Sequence, residues 1–347
     1  MQQDQIKAYI KQVIANMPND WLRLTTHRLD IYDESQAKFQ FLDRLEELFE
    51  SGTADVATLS ELPTAYDYIR LGHPLSSVME WTIAKLNKLP AKNVISFQSQ
   101  TTPILAVLRK NLFANKKTLI AYSGELPQYF DSENIKRVYN YNFELHEVAS
   151  PSEVPSFDGS TIYLSHQEDL FSVDFNDNID FYLSLHPTLG SVIAVSEHNS
   201  DYIAEIQHVR RRETIAMTPA NCHTSFKQLF DQPAEARIDS VKHKDTVVST
   251  IQNITQAYSK AVICSSGLST QYCIVMGLID DALTNHPGKD IRIVIPPNCY
   301  GGTNDQGRRV AACIDNVSVM DLPVDGDHDM VQSLSLIHIS EPTRQKP

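Results

Sequence analysis

Two short stretches in the second half of the chain carry residue types suited to holding a small anionic ligand. Ser265-Ser266-Gly267-Leu268-Ser269 follows an apolar run and leads into a long, largely apolar segment. A turn of this kind, entering a helix, aims backbone N–H groups and the positive end of the helix dipole at one point, and that point suits a phosphate. Gly267 would allow close approach to the backbone, and the Ser265 and Ser266 hydroxyls could add hydrogen bonds. The same letters also fit an ordinary serine-capped helix start. Further on, Asn298 to Thr303, "NCYGGT", closes the β-branched run "IRIVIPP". A glycine pair beside an aromatic permits positive φ and close packing, so the Tyr300 ring could be presented to a ligand. A polar turn leaving a buried strand fits these six residues as well.

Other chemistries find little support. No GxGxxG or GxxxxGK[ST] stretch occurs, which speaks against ordinary dinucleotide and P-loop sites. The 12 histidines show no HExxH or paired metal spacing, so no metal site is expected. Nothing resembles GxSxG. The five cysteines stand singly, without CxxC spacing, as expected of a reduced protein. "HVRRRE", His208 to Glu213, fits either a phosphate-grasping cluster or a solvated helix face, and the second is the commoner case. A net charge of −13 argues against nucleic acid or an anionic membrane as partner, while leaving room for a local anion site made of amides. With no signal peptide and no membrane-length apolar run, the expected location is the cytoplasm.

The elements that must position these turns follow from periodicity. Residues 1–20, 34–51 and 74–89 predict amphipathic helices. A strand at 93–97, a helix begun by "TTP", and strands in "KTLIAYSG" and "FELHEV" follow. The second half predicts a strand over 258–267, a helix in "LSTQYCIVMGLIDDAL", a strand before the tyrosine turn, a helix in "DQGRRVAACI" and a strand at 317–323. Such alternation predicts an α/β fold with a parallel-rich sheet flanked by helices. The segments from "NVISF" to "YSGE" and from "AVICSSG" to "YGGT" run in the same order, which suggests an internal repeat.

Taken together, the two turns resemble those of the pyridoxal-phosphate enzymes of cysteine and methionine metabolism, the cystathionine γ-synthase and γ-lyase group. That family writes Ser-Gly-Met-(Ala/Ser) at its phosphate turn and Tyr-Gly-Gly-Thr after the next strand. Ser266, Gly267, Leu268 and Ser269 fill the first, with Leu for Met, and Tyr300 to Thr303 fill the second unchanged. The resemblance implies a fold-type-I transferase-like sheet, with Ser266, Gly267 and Leu268 at the cofactor phosphate and Tyr300 as stacking and catalytic residue. A worn likeness also covers the first half. "YIRLGHPLSSVMEWTIAKL" resembles the family's Tyr-Ser-Arg-x-Gly-Asn-Pro-Thr stretch, with His73 for Asn. It implies that Tyr68 and Arg70 reach the phosphate of a neighbouring subunit. In "NIDFYLSLHPTLGSVIAV" the family's Schiff-base lysine falls on Pro187 or its neighbour, and no lysine lies between Lys136 and Lys227.

These expectations divide the chain into an N-terminal helical segment (1–54), a degenerate transferase-like copy (55–226) and the first part of a second copy (227–333). Residues 334–347 include "LSLIHISEPTR", which looks like a translated sequencing adapter and is expected not to be native. The implied parent protein is a pyridoxal-phosphate-dependent, homo-oligomeric enzyme. It would catalyse elimination or γ-replacement on amino acids such as O-acylhomoserine or cystathionine. The chain as given lacks its Schiff-base lysine and is expected to be inactive. The alternative is a non-catalytic scaffold or regulatory partner of an active homologue.

Overall fold

The computed structural model describes residues 2–23, 34–63, 65, 69–233 and 240–323. The expected 334–347 tail and Tyr68 lie outside them. Two units share the chain, one comprising 1–132 and 141–266, the other 133–140 and 267–347.

The first unit opens with α1 (Gln2–Asn16), α2 (Glu34–Ser51) and the short α3 (Val56–Ser60). Ile6, Tyr9, Ile10, Val13 and Ile14 repeat at helical spacing and form the buried face of α1. Their core is shared with Leu45 of α2 and with Trp81 of α4 (Pro74–Leu86), so the N-terminal helices are built into this unit. α4 starts where its sequence says it should. His73 Nδ1 accepts from the Ser76 amide, Ser76 Oγ accepts from the His73 amide, and Pro74 fills the first helical position.

A six-stranded sheet follows, made of β1 (Val94–Phe97), β2 (Thr118–Ser123), β3 (Phe143–Glu147), β4 (Ser160–His166), β5 (Phe181–His186) and β6 (Gly190–Val195). Its order is β1-β6-β5-β4-β2-β3, and every pairing is parallel except the two made by β6. β1, β5 and β6 are buried along their whole length, as expected of strands covered by helices on both faces. The helices are α4, α5 (Thr102–Phe113), α7 (Ile203–Glu213) and α8 (Pro219–Leu229), with α9 (Ser240–Thr255) beyond them. The expected α/β class, a parallel-rich sheet flanked by helices, is the architecture found.

The second unit takes α6 (Ser132–Tyr139) from the β2–β3 crossover and adds α10 (Gly267–Asn285), β7 (Ile291–Ile295), α11 (Gly301–Cys313) and β8 (Val317–Asp321). Arg137 pairs with Asp280 at 2.5 Å, and the Tyr272 hydroxyl donates to that of Tyr139. β7 and β8 run parallel, from Ile291↔Val317 to Ile295↔Asp321. The order α10–β7–α11–β8 matches α5–β2–α6–β3, whose two strands are also parallel.

One expected element is absent. Residues 258–266 form turns and irregular chain rather than a strand. The reason is visible in the first unit, where β1 is an edge strand completed by its ladder with β6, with Val94 facing Ala194. No described strand offers residues 258–266 such a partner. Among the described residues no helix is long and apolar enough to cross a membrane.

Candidate functional site

The site is built at the start of two helices in the second unit. α10 begins at Gly267, where an added Cβ would meet no atom within 4 Å. Space is therefore open at the backbone of the turn that the sequence marks for an anion. Gly267 does not have positive φ, so its use here is access rather than a left-handed conformation. Leu268 points inward and is buried, while Ser266 directly precedes the helix.

Tyr300 is the N-cap residue of α11, at φ −52° and ψ 126°, and its carbonyl accepts from the amides of Thr303 (2.8 Å) and Asn304 (3.2 Å). The expectation of positive φ at the glycine pair is corrected here. Gly301 and Gly302 are the first two residues of the helix and neither is left-handed. Close packing explains Gly302 instead. A Cβ there would lie 2.7 Å from the Tyr300 ring and 2.9 Å from Leu268 Cδ1. At Gly301 it would meet nothing. The second glycine thus lets the tyrosine ring and the Leu268 side chain close on the same point. The ring itself remains 62% exposed.

Two hydrogen bonds tie the helix starts together. Thr303 Oγ1 donates to Gln271 Oε1 at 2.7 Å, and Gln306 Nε2 donates to the Leu268 carbonyl at 3.0 Å. Gly307 sits against β7, where a Cβ would meet Ile295 Cδ1 at distances below contact. The structure therefore brings Gly267, Leu268 and Tyr300 into one arrangement. Thr303 belongs to the Tyr-Gly-Gly-Thr stretch marked in the sequence, whereas Gln271 and Gln306 were not singled out, although Gln306 lies four residues after Gly302 on the same helical face.

The group implied by the family resemblance, pyridoxal phosphate, fits this arrangement at its phosphate and ring. The fit rests on the accessible backbone at Gly267, the start of a 19-residue helix and the exposed ring. No described residue of the second unit is identified as a partner for its aldehyde.

Among the described residues of the first unit the matching turn is closed by its own side chains. Its counterpart of the anion turn is Gln98-Ser99-Gln100, and Ser99 Oγ accepts from the amide and hydroxyl of Thr102 at the start of α5. Ligands of open α/β sheets sit beyond the carboxyl ends of the strands. Here that rim is filled by bonded side chains. Gln167, after β4, donates to Ser184 Oγ of β5 (2.9 Å) and accepts from Ser165 Oγ (3.0 Å). Gln98 Oε1 accepts from the Thr218 amide and from Asn221 Nδ2. His186 Nδ1 accepts from the amides of Thr188 and Leu189. Pro187, the position matched to the family's lysine, follows directly after β5.

Arg70 belongs to this unit. It is buried and donates to the Arg211 carbonyl at 3.1 Å. The "HVRRRE" expectation is corrected: Arg210 is neither a solvated face nor a phosphate ligand but one of the most deeply buried charges. Its guanidinium and the Lys38 ammonium both bind Glu80, at 2.8 and 2.5 Å, and Ser96 gives Glu80 its amide (2.9 Å) and hydroxyl (2.8 Å). Burial alone would raise the Glu80 pKa, but the two cations and these donors overcome it and hold the carboxyl down at about 2. Burial lowers His73 to about 4 and raises the Cys222 thiol. Glu213 pairs with Arg109 at 2.5 Å. Among the described residues no group of three or more His, Cys, Asp or Glu is placed to hold a metal ion.

No family model and no curated relative matches the chain. Among solved structures it is similar to the metB protein of Corynebacterium glutamicum, at 14% identity and a TM-score of 0.30, over 58% of this chain and 61% of that one. It is similar to the metY protein of Campylobacter jejuni, at 12% identity and a TM-score of 0.35, over 74% and 76% of the two chains. That structure carries an N'-pyridoxyl-lysine-5'-monophosphate. A third is the cystathionine γ-synthase of Xanthomonas oryzae pv. oryzae in complex with cystathionine, at 12% identity and a TM-score of 0.29, over 66% and 70%. The chain spans 61% of the length of the first of these relatives.

Proposed function

We propose that the second unit is the cofactor-holding part of a pyridoxal-phosphate-dependent enzyme of cysteine and methionine metabolism. Its substrate class would be amino acids with a leaving group at Cβ or Cγ, such as O-acylhomoserine or cystathionine. The observation that supports this best is the meeting of Leu268 and the Tyr300 ring at Gly302, because it joins the two turns on which the family resemblance rests. When bound, pyridoxal phosphate supplies an electron sink for a carbanion at the substrate's α carbon. Ser266, Gly267 and Leu268 would hold the phosphate through helix-start amides and the serine hydroxyl. The Tyr300 ring would form the platform for the pyridine, and its Oη would accept or return a proton during elimination. An acidic chain can hold an anion this way, since the local amide field decides.

The first unit is proposed to be a silent copy that stabilises the assembly, and the protein to be a homo-oligomer of the cytoplasm. A role for Arg70 at a neighbour's phosphate would require exchange of its bond to Arg211. The filled rim of the first unit and the absence of lysine from 137–226 favour a second reading for the protein, a non-catalytic scaffold or regulatory partner of an active homologue.

Titration of the chain with pyridoxal phosphate, followed by absorbance and tyrosine fluorescence, tests the proposal. Tyr300→Phe should keep affinity within about threefold, because the ring remains. Gly301→Ala should be neutral or slightly stabilising, as alanine favours helix by up to about 1 kcal/mol. Gly302→Val should displace the ring and lower affinity by about tenfold or more. Equal affinity in Gly302→Val and wild type would place the site elsewhere. Sequence of the source gene beyond residue 333 separates enzyme from scaffold by the presence or absence of a Ser-x-Thr-Lys segment.

A further inference from the structure

Gln306 is a buried amide, 1% exposed, on the second turn of α11. Its side chain reaches the carbonyl of Leu268, which lies within the first turn of α10. The peptide plane is rigid, so the Leu268 carbonyl and the following N–H point in opposite directions across it. Whatever fixes one aims the other. In the first turn of a helix that N–H is directed toward the N-terminus, where an anion binds. The bond from Gln306 also polarises the same peptide unit and strengthens its N–H as a donor. Gln306 lies four residues after Gly302 and three after Thr303, so all three share one face of α11. That face carries the contact to the tyrosine ring, the bond to Gln271 and the bond to Leu268.

We propose that Gln306 is a positioning residue that couples the tyrosine turn to the anion turn by orienting the Leu268 peptide. The inference rests on the cofactor reading of residues 267–303. Neither partner turn needs Gln306 in order to exist. What it supplies is their common alignment, so that a ligand with both a phosphate and an aromatic ring meets the two features in register. Thr303 and Gln271 brace the same joint from the neighbouring turn.

The full chain and its Gln306→Met variant, which keeps length and apolar packing while removing the donor, are titrated with pyridoxal phosphate, with pyridoxal and with inorganic phosphate. Hydrogen exchange at residues 268–271 is followed in the unliganded proteins. The expected result is a loss of about tenfold for pyridoxal phosphate, equivalent to one amide-oriented hydrogen bond, with pyridoxal unchanged and exchange at 268–271 faster. Gln306→Glu provides the second variant. A carboxylate cannot donate to the carbonyl and a protonated carboxyl can, and burial at this position raises the carboxyl's pKa, so its affinity relative to wild type should recover as pH falls from about 8 to about 5. Unchanged pyridoxal phosphate affinity in Gln306→Met overturns the proposal. So does an equal loss for pyridoxal, or no recovery in Gln306→Glu, because either would mark a packing role only. If the wild-type chain binds pyridoxal phosphate no better than pyridoxal, the cofactor reading itself fails, and the wild-type titration shows that before any variant is compared.

Discussion

Glu80 sits between two buried cations and next to His73, and this cluster governs how the first unit responds to acid. Replacing Glu80 by Gln leaves Lys38 and Arg210 buried without their anion, and should cost about 3–5 kcal/mol in urea unfolding. The sign of the pH effect follows from the two shifts. His73 is held neutral in the folded state, down to about 4, whereas the unfolded chain takes up its proton near the ordinary value of 6.5. Its contribution is therefore complete above that value and is lost as pH falls toward 4. Glu80, depressed to about 2, contributes fully above the ordinary carboxylate value and loses that contribution as pH falls through about 2. His73→Asn should keep a helix cap, since Asn is a good N-cap residue, while flattening the upper part of the acid loss. Stability measured from about pH 7 to about 5 checks this, and an unchanged slope would remove His73 from the account. Sequence alone misread this cluster. Arginines at 210–212 look like a solvated run because periodicity cannot tell which of three adjacent charges turns inward, and Glu80 lies on the far side of a long loop closure. Tyr300 and Gly267 drew notice because their residue types and order are unusual. Gln306 was not, because a buried glutamine looks like any surface one.

Elements were legible in proportion to how local their cause was. α2 spans residues 34–51 as its spacing predicts, and α4 starts at the Pro74 that follows its cap. The strand expected at 258–267 failed because a strand is completed by partners that the segment itself does not encode. β4, "STIYLSH", is buried at six of its seven positions although only Ile162, Tyr163 and Leu164 form an apolar run, so it lacks the alternation that marks a half-exposed strand. The sharpest element-level prediction concerns the β5–β6 hairpin. Gly190 has φ +126°, and a Cβ there would collide with the Phe97 carbonyl. Gly190→Ala should destabilise the first unit by about 2 kcal/mol or more, and should speed amide exchange in β1 above all. Exchange unchanged in β1 would show that the chain can reroute this corner cheaply.

At the scale of the molecule the two units should differ in resistance to unfolding. Among the described residues the first has a six-stranded sheet whose inner strands are largely buried, whereas the second has two strands. Two strands offer little independent stability. The second unit also leaves Ile274, Leu278 and Val294 exposed. Urea unfolding should therefore show two transitions. The tyrosine-turn helix α11 should exchange its amides in the first, and a dye that binds apolar surface should report signal before any denaturant is added. One coincident transition by circular dichroism and exchange would contradict this.

The pairing of β1 with β6 sets a timetable for synthesis. Val94 leaves the ribosome about one hundred residues before Ala194, its partner, which at roughly 5–20 residues per second is a delay of about 5–20 seconds. Through that interval the apolar strand Val94–Phe97 has no partner for its edge. Glu80, Lys38 and the Ser96 amide are all made early, so the anion and one cation can meet, but Arg210 arrives only after β6. The sheet's first strand and the charge centre beneath it are thus completed by the same late stretch of chain. A nascent chain stalled before residue 190 should therefore stay open to protease at β1, and one released past residue 213 should close it.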